Sequence, residues 1–261
     1  MRERIQKVLA NAGHGSRRQI ESLIRDDKIT INGKLAILGQ QIDYKDRIVI
    51  NSHKIRLPQQ RESKPKVIAY YKPAGEVCTR KDEKGRNNVF KKLPALRDSR
   101  WINIGRLDIN TTGLLLFTTD GNLANKLMHP SRQIEREYAV RIFGRADKRQ
   151  LQALRDGVEL EDGLGKFTDV VDSGGEGANH WYHVVIMEGR NREVRRLWES
   201  QGFQVNRLIR TRFGSYILPR KKRVGQNWRL EESEIKALIE AITPNESIMK
   251  RSKIVIIFQQ I

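Results

Sequence analysis

The stretch "GRLDINTTGLLLFTTDG", residues 105–121, sets one acidic side chain, Asp108, between the basic Arg106, two threonines and the apolar block 114–117. A short continuous apolar run bounded by turn residues reads as a buried strand. Asp108 then sits in the loop that precedes the strand, where a rigid sheet can present a reactive group to a cleft. Two readings of this residue stand side by side at this point. It caps a turn with Asn110 and Thr111, or it does chemistry.

Working outward, strand-like runs recur at 67–71, 114–118, 138–143, 167–171 and 181–187, mixed with helical spacing at 122–128, 148–155 and 192–201. That mixture predicts an α+β fold: a mixed α/β catalytic domain over residues 67–243 with a central antiparallel sheet as its core. The Gly-rich "SGGEGAN", 173–179, lacks the Gly-Lys-Ser/Thr ending of a phosphate-binding loop and reads as a plain hairpin connection.

Residues 1–52 predict a separate small α+β module. Ile5, Val8, Leu9 and Ala12 fall at helical spacing, and Gly13 can take the left-handed conformation that ends such a helix. Ser16 and Gln19 form a capping box ahead of Ile20, Leu23 and Ile24, the buried stripe of a second helix that carries Arg17, Arg18 and Arg25. Residues 28–31 and those after Asn32-Gly33 read as a hairpin, with 47–50 as a third strand. Polar, proline-bearing residues 53–66 read as a linker. Residues 244–261 form a tail with a basic start and a five-residue apolar run at 254–258, to which no function is assigned.

With 261 residues and 38% hydrophobic content, the chain can build a packed core. Its formal charge of +19 points to a polyanionic partner. The charge is concentrated: residues 1–61 carry thirteen Lys/Arg against six Asp/Glu, and residues 189–223 carry eleven against two. Both segments suit phosphate contact, while a merely solvated basic face remains open for 220–223. No apolar run approaches the roughly 20 residues of a spanning helix, and "MRERIQKVLANAGHG" lacks a signal peptide's apolar centre. A cytoplasmic protein with no membrane partner is expected. One cysteine, Cys78, and five scattered histidines offer neither an intramolecular disulfide nor a zinc spacing, so no metal site is expected.

A single carboxylate without a paired acid, a Ser-His-Asp order or metal ligands leaves few options. One is covalent catalysis by the aspartate itself, of the kind glycosidic chemistry uses.

Two resemblances bear on this choice. "GSRRQIESLIRDDKITING", residues 15–33, resembles the small RNA-binding domain named after the fourth small-subunit ribosomal protein, which grips structured RNA by shape and backbone. "GRLDINTTGLLLFTTDG", with "YYKPAGEVCT" (70–79) before it and "EREYAV" (135–140) and "EGRNREVRRLWE" (188–199) after it, resembles the motif series of the pseudouridine synthases, in the branch that modifies bacterial ribosomal RNA. The likeness runs from about Arg2 to about Ile239. It stops before the tail, and "RKKRVGQNW", 220–228, is more basic than the family pattern.

The resemblance implies an isomerase of RNA uridines that uses no cofactor. Asp108 matches the catalytic aspartate that attacks the uridine, and Arg106 the basic residue that fills the gap when the base is flipped out of its stack. Tyr138 matches the tyrosine that packs on the flipped base, Arg195 the basic residue that pairs with the aspartate, and Leu197 an apolar wall of the pocket. By residue pattern alone, Tyr138 reads as a core strand residue and Arg195 as a surface arginine. Arg17, Arg18, Arg190 and Arg192 are expected to contact RNA. The implied substrate is one uridine of 23S ribosomal RNA, free or in an assembly intermediate, and the implied state is a monomer. The first sixty residues and the charge equally suit a non-catalytic RNA-binding factor of ribosome assembly, and a third reading is a hydrolase that cleaves the glycosidic bond outright and releases free uracil.

Overall fold

The computed structural model describes residues 2–57, 64–80, 82–97 and 99–241. The tail 244–261 lies outside the described residues. The chain divides into two compact units, one comprising Met1–Lys66, Pro94–Ile102 and Thr119–Gly121, the other the remainder.

The first unit opens with a two-residue strand β1 (Glu3–Arg4) and helix α1 (Ile5–Asn11), followed by α2 (Arg17–Arg25). The end of α1 is closed by paired bonds from Gly13 N to Ala10 O and from His14 N to Leu9 O, a Schellman arrangement that satisfies carbonyls the helix leaves open. The capping box forms as read: Gln19 N donates to Ser16 Oγ at 3.1 Å and Ser16 N to Gln19 Oε1 at 2.7 Å. Strands β2 (Ile29–Ile31) and β3 (Lys34–Leu35) are joined through Asn32 and Gly33, both at positive φ (52° and 85°), the geometry of a type I′ hairpin. β4 (Gln41–Ile42) pairs with β1, and β5 (Ile48–Ile50) with β2. Ile5, Leu9, Ile20, Ile29, Ile42 and Ile48, each at most 1% exposed, fill the core between helices and sheet. Each contributes roughly 1.5–3 kcal/mol by leaving water. The expected linker starts too early: His53–Ile55 form β6, paired with β5. Polar composition hides that strand because it lies at the sheet edge, where side chains need not be apolar.

The second unit is built on a nine-stranded sheet with helices. Its strands are β7 (Val67–Lys72), β8 (Ile102–Ile104), β9 (Thr112–Thr118), β10 (Arg136–Phe143), β13 (Asp169–Asp172), β14 (Asn179–Ile186), β15 (Val205–Phe213), β16 (Tyr216–Ile217) and β17 (Asn227–Arg229). A separate hairpin, β11 (Val158–Leu160) with β12 (Gly163–Gly165), stands beside it, and the helices are α3 (Gly121–Met128), α4 (Lys148–Asp156), α5 (Glu193–Ser200) and α6 (Glu232–Glu240). The sheet order is β13-β14-β10-β15-β9-β7-β17, with β8 on β9 and β16 on β15. Along this order pairing is antiparallel except between β9 and β15, which run parallel at the centre. The quoted apolar block is β9, an inner strand with every residue from Gly113 to Thr118 buried, which explains why its pattern is continuous rather than alternating. The loop 173–179 joins the antiparallel neighbours β13 and β14, a hairpin connection as read.

Composition does not announce β15: its sequence, VNRLIRTRF, carries three arginines within the basic run 189–223, yet its last six residues are buried at the middle of the sheet. No helix among the described residues is long and apolar enough to cross a membrane.

Candidate active site

Asp108 lies, partly buried, in the loop between β8 and β9. What fixes that loop is a set of buried cations under its backbone. Lys72, at the end of β7 and 0% exposed, donates from Nζ to Pro73 O (2.8 Å), Thr111 O (3.0 Å), Asp108 O (3.2 Å) and Ile109 O (3.3 Å). Arg195, on α5 and 8% exposed, donates from Nη2 to Asn110 O (3.1 Å) and from Nη1 to Val205 O (2.7 Å). Four successive carbonyls, 108 to 111, therefore accept from two cations. Thr111 N closes the turn on Asp108 O at 3.0 Å, and Gly75 N reaches Ile109 O at 2.7 Å. Ahead of the aspartate, Cys78 Sγ donates to Leu107 O at 3.3 Å. With its backbone held from three sides, the loop presents the Asp108 side chain in a fixed place.

Burial pushes the Lys72 ammonium below its ordinary range, opposed by the nearby carboxylates of Glu76 and Asp108. Arg195 is lowered by burial and by Arg192, and Asp108 acts in the opposite direction. Replacing Lys72 with Met keeps the length of the side chain and removes a donor from four carbonyls, of which Asp108 O and Ile109 O keep Thr111 N and Gly75 N. A loop displaced by about 1 Å costs on the order of 100-fold in rate. The expected result for Lys72→Met is a folded protein by circular dichroism with kcat down at least that far, and wild-type turnover would remove Lys72 from this role.

The register from Tyr138 to Arg210, Gly113 and Lys72 puts Tyr138 on the face of the sheet that carries Lys72. It is 7% exposed on β10, paired with Val184 of β14 and Arg210 of β15. Arg210 is 1% exposed and donates from Nε to Leu114 O at 2.7 Å, tying β15 to β9. On this side Trp198 of α5 packs against Tyr182 of β14 with ring centroids 4.8 Å apart, which seats the helix that carries Arg195.

Two families match the chain. The RNA pseudouridylate synthase family covers residues 66–200 and the S4 domain family residues 3–48. The chain belongs to the RNA pseudouridylate synthase family. The synthase is 54% identical over 243 residues to the "Ribosomal large subunit pseudouridine synthase B" of Vibrio cholerae, a match spanning 93% of this chain and 76% of the relative. It is 57% identical over 222 residues to the protein of that name from Escherichia coli K12, spanning 84% of this chain and 76% of the relative. A solved pseudouridylate synthase structure superposes with a TM-score of 0.63 at 24% identity, covering 90% of this chain and 99% of that one, and shares the fold.

In the synthase the matched residues divide. Asp108, Arg195 and the face of Tyr138 belong to the same sheet-and-helix assembly. The expected direct pairing of Arg195 with Asp108 is not made: the guanidinium bonds the backbone carbonyls of Asn110 and Val205 and acts on the carboxylate through charge. Leu197 does not line an open pocket. It is 0% exposed, and its Cδ2 lies 3.2 Å from where a Cβ on Gly165 would stand, so it packs α5 onto β12.

Arg190 is not free for RNA. Its Nη1 donates to Asp162 O, Asp162 Oδ1 and Gly163 O at 3.0–3.1 Å, its Nη2 to Leu164 O at 2.9 Å, and it pairs with Glu188 at 3.0 Å and Glu193 at 3.3 Å. Arg196 adds a two-pronged pair to Asp162 at 2.7 and 2.8 Å. Together they clamp the β11–β12 turn to the start of α5. Burial raises the Glu193 carboxyl despite the bonds from Arg190. Arg190→Ala is expected to cost about 2 kcal/mol of stability while leaving the salt dependence of RNA binding unchanged. A weaker salt slope at wild-type stability would restore Arg190 to the RNA surface.

Arg106 and Arg192 are exposed, as are Arg17 and Arg18 in the first turn of α2. Arg192 stands at φ 50° and pairs with Glu199 at 3.0 Å. Across 189–223 the basic run thus splits between exposed side chains, the half-buried Arg190 and Arg196 held by protein partners, and arginines 195, 210 and 212, which are buried in the protein itself. Nothing in the sequence pattern assigns Lys72 a role, and its available signal is a lysine ending an otherwise apolar strand.

Proposed function

We propose that the protein converts one uridine of 23S ribosomal RNA to pseudouridine, with Asp108 as the nucleophile. The observation that carries this reading is the clamped loop, in which buried Lys72 and Arg195 hold four consecutive carbonyls and leave the Asp108 carboxylate partly exposed. The names of the Vibrio cholerae and Escherichia coli relatives support ribosomal RNA as the substrate. Asp108 attacks the flipped uridine and forms a transient bond to it, the N1–C1′ glycosidic bond breaks, and the ring turns; the bond to Asp108 breaks before the product leaves, which returns the free carboxylate. C5 then bonds to C1′, the C5 hydrogen leaves as a proton, and N1 gains one. Atoms and electrons balance within the nucleoside, so the isomerisation needs no oxidant or reductant.

Arg195 keeps positive charge beside the carboxylate. Tyr138 supplies an aromatic face to the extruded base, and Arg106 fills the vacated stack. The N-terminal domain delivers RNA through the exposed arginines Arg17, Arg18 and, from the catalytic domain, Arg192. The enzyme acts as a cytoplasmic monomer on free RNA or an assembly intermediate.

The test follows from the C5 proton. Ribosomal RNA carrying tritium at uridine C5, incubated with the protein and no added metal or nucleotide, is expected to release one equivalent of tritium per RNA. Binding without release would favour the assembly-factor reading, and liberated uracil a hydrolase.

A further inference from the structure

The catalytic sheet has a second face. Side chains alternate along a strand, so Arg141, three residues beyond Tyr138 on β10, projects from the face opposite Tyr138. It stands directly across from Trp181 of β14 and from Arg207 of β15. Both guanidinium carbons lie 5.8 Å from the centroid of the Trp181 ring, one from each neighbouring strand. Arg141 Nε donates to Asn206 Oδ1 at 2.8 Å, and Asn206 Nδ2 to Asn179 Oδ1 at 2.6 Å. Opposite Asn179 stands Phe143, which is 62% exposed.

The rest of this face is built differently. Glu137 and His183, 2% exposed each, meet at 3.1 Å, and buried Arg212 is answered by two carboxylates, Glu137 at 3.0 Å and Glu135 at 2.9 Å. Burial alone would raise the Glu137 carboxyl, but the bonds from His183 and Arg212 outweigh it and hold it below the usual range. At the exposed end, Arg141 and Arg207 make no ion pair among the described residues. Two cations share one indole with no carboxylate to offset them, and an exposed phenyl ring sits alongside. A protein that builds a two-carboxylate answer for one arginine and none for two others leaves a surface whose complement is an anion supplied from outside. Flat aromatic faces beside guanidinium groups fit a strand carrying both phosphates and bases.

We infer that this face is a second RNA-contact surface, holding a segment of the ribosomal RNA other than the one that carries the target uridine. Phosphates meet Arg141 and Arg207, and an unpaired base stacks on Phe143 or Trp181. The inference rests on the proposed function for the identity of the RNA. It makes the enzyme sensitive to RNA beyond the stem that enters the cleft.

The experiment measures equilibrium binding, as a function of salt, of two RNAs: a short stem-loop containing the target uridine and a long 23S fragment. Because binding is read directly, a lack of isomerase activity in the wild type would refute the proposed function without deciding this point. For Arg141→Gln/Arg207→Gln the slope of log affinity against log salt is expected to fall by about 1.4–1.8 on the long RNA, the release of counterions from two phosphates, and to stay put on the short one. Phe143→Ala, at a site too exposed to support the fold, is expected to weaken long-RNA binding by roughly 5- to 150-fold. An unchanged slope on the long RNA overturns the inference. So does an equal fall on both RNAs, which would assign the arginines to the cleft, or a loss seen only on protein-containing particles, which would make the partner a ribosomal protein.

Discussion

Asp108→Asn is expected to bind ribosomal RNA with wild-type affinity and to release tritium from C5-labelled uridine at least roughly 10⁴-fold more slowly. Asparagine keeps the size of the side chain and removes its nucleophilic oxygen and charge. The backbone loses nothing, because Lys72, Arg195 and Thr111 N hold the loop through carbonyls that the substitution does not touch. Melting temperature and circular dichroism should match the wild type, which separates lost chemistry from lost structure. Turnover within tenfold of wild type would show that Asp108 is a turn-former after all.

Gly113→Ala is expected to damage the protein by another route. Gly113 sits at φ +107°, where a side chain is strained, and opposite Arg210 in the parallel pair of β9 and β15. A Cβ built there would stand 2.4 Å from Arg210 O and 2.5 Å from Arg210 N. Both are backbone atoms in the middle of the sheet, so neither can rotate away. The two strands must separate, and Arg210, whose Nε bonds Leu114 O, goes with them. Backbone strain and overpacking together should cost at least about 3 kcal/mol, lowering the melting midpoint by roughly 6–12 °C. The start of β9 also anchors the Asp108 loop, so activity should fall even below that midpoint. A midpoint within 2 °C of wild type would mean that β9 and β15 do not meet as described.

Much of this was legible wherever local chemistry decides the structure. Ser16 with Gln19, and Asn32 with Gly33, specify a cap and a turn through groups within four residues of one another, and both form. The apolar block at 114–117 marked an inner strand because a strand covered on both faces has no polar positions. β15 was illegible for the converse reason. Its arginines advertise solvent, and only tertiary partners such as Glu137 and the carbonyl of Leu114 make Arg212 and Arg210 tolerable inside. Arg190 is hidden in the same way: its partners at 162–164 are 26–28 residues away and mostly backbone carbonyls, which no side-chain pattern announces. The site itself was half visible. Motif resemblance singled out Asp108, Tyr138 and Arg195, whereas the carbonyl clamp of Lys72 appears only once β7 and the loop are brought together.

The most direct measurement is to incubate the purified full-length protein with unmodified 23S ribosomal RNA, without metal or nucleotide, and map pseudouridine by carbodiimide labelling and primer extension, in parallel with Asp108→Asn. One new stop with the wild type and none with the variant is the expected result. Tight binding of the RNA by the wild type with no new stop, or a stop that persists in Asp108→Asn, would contradict it.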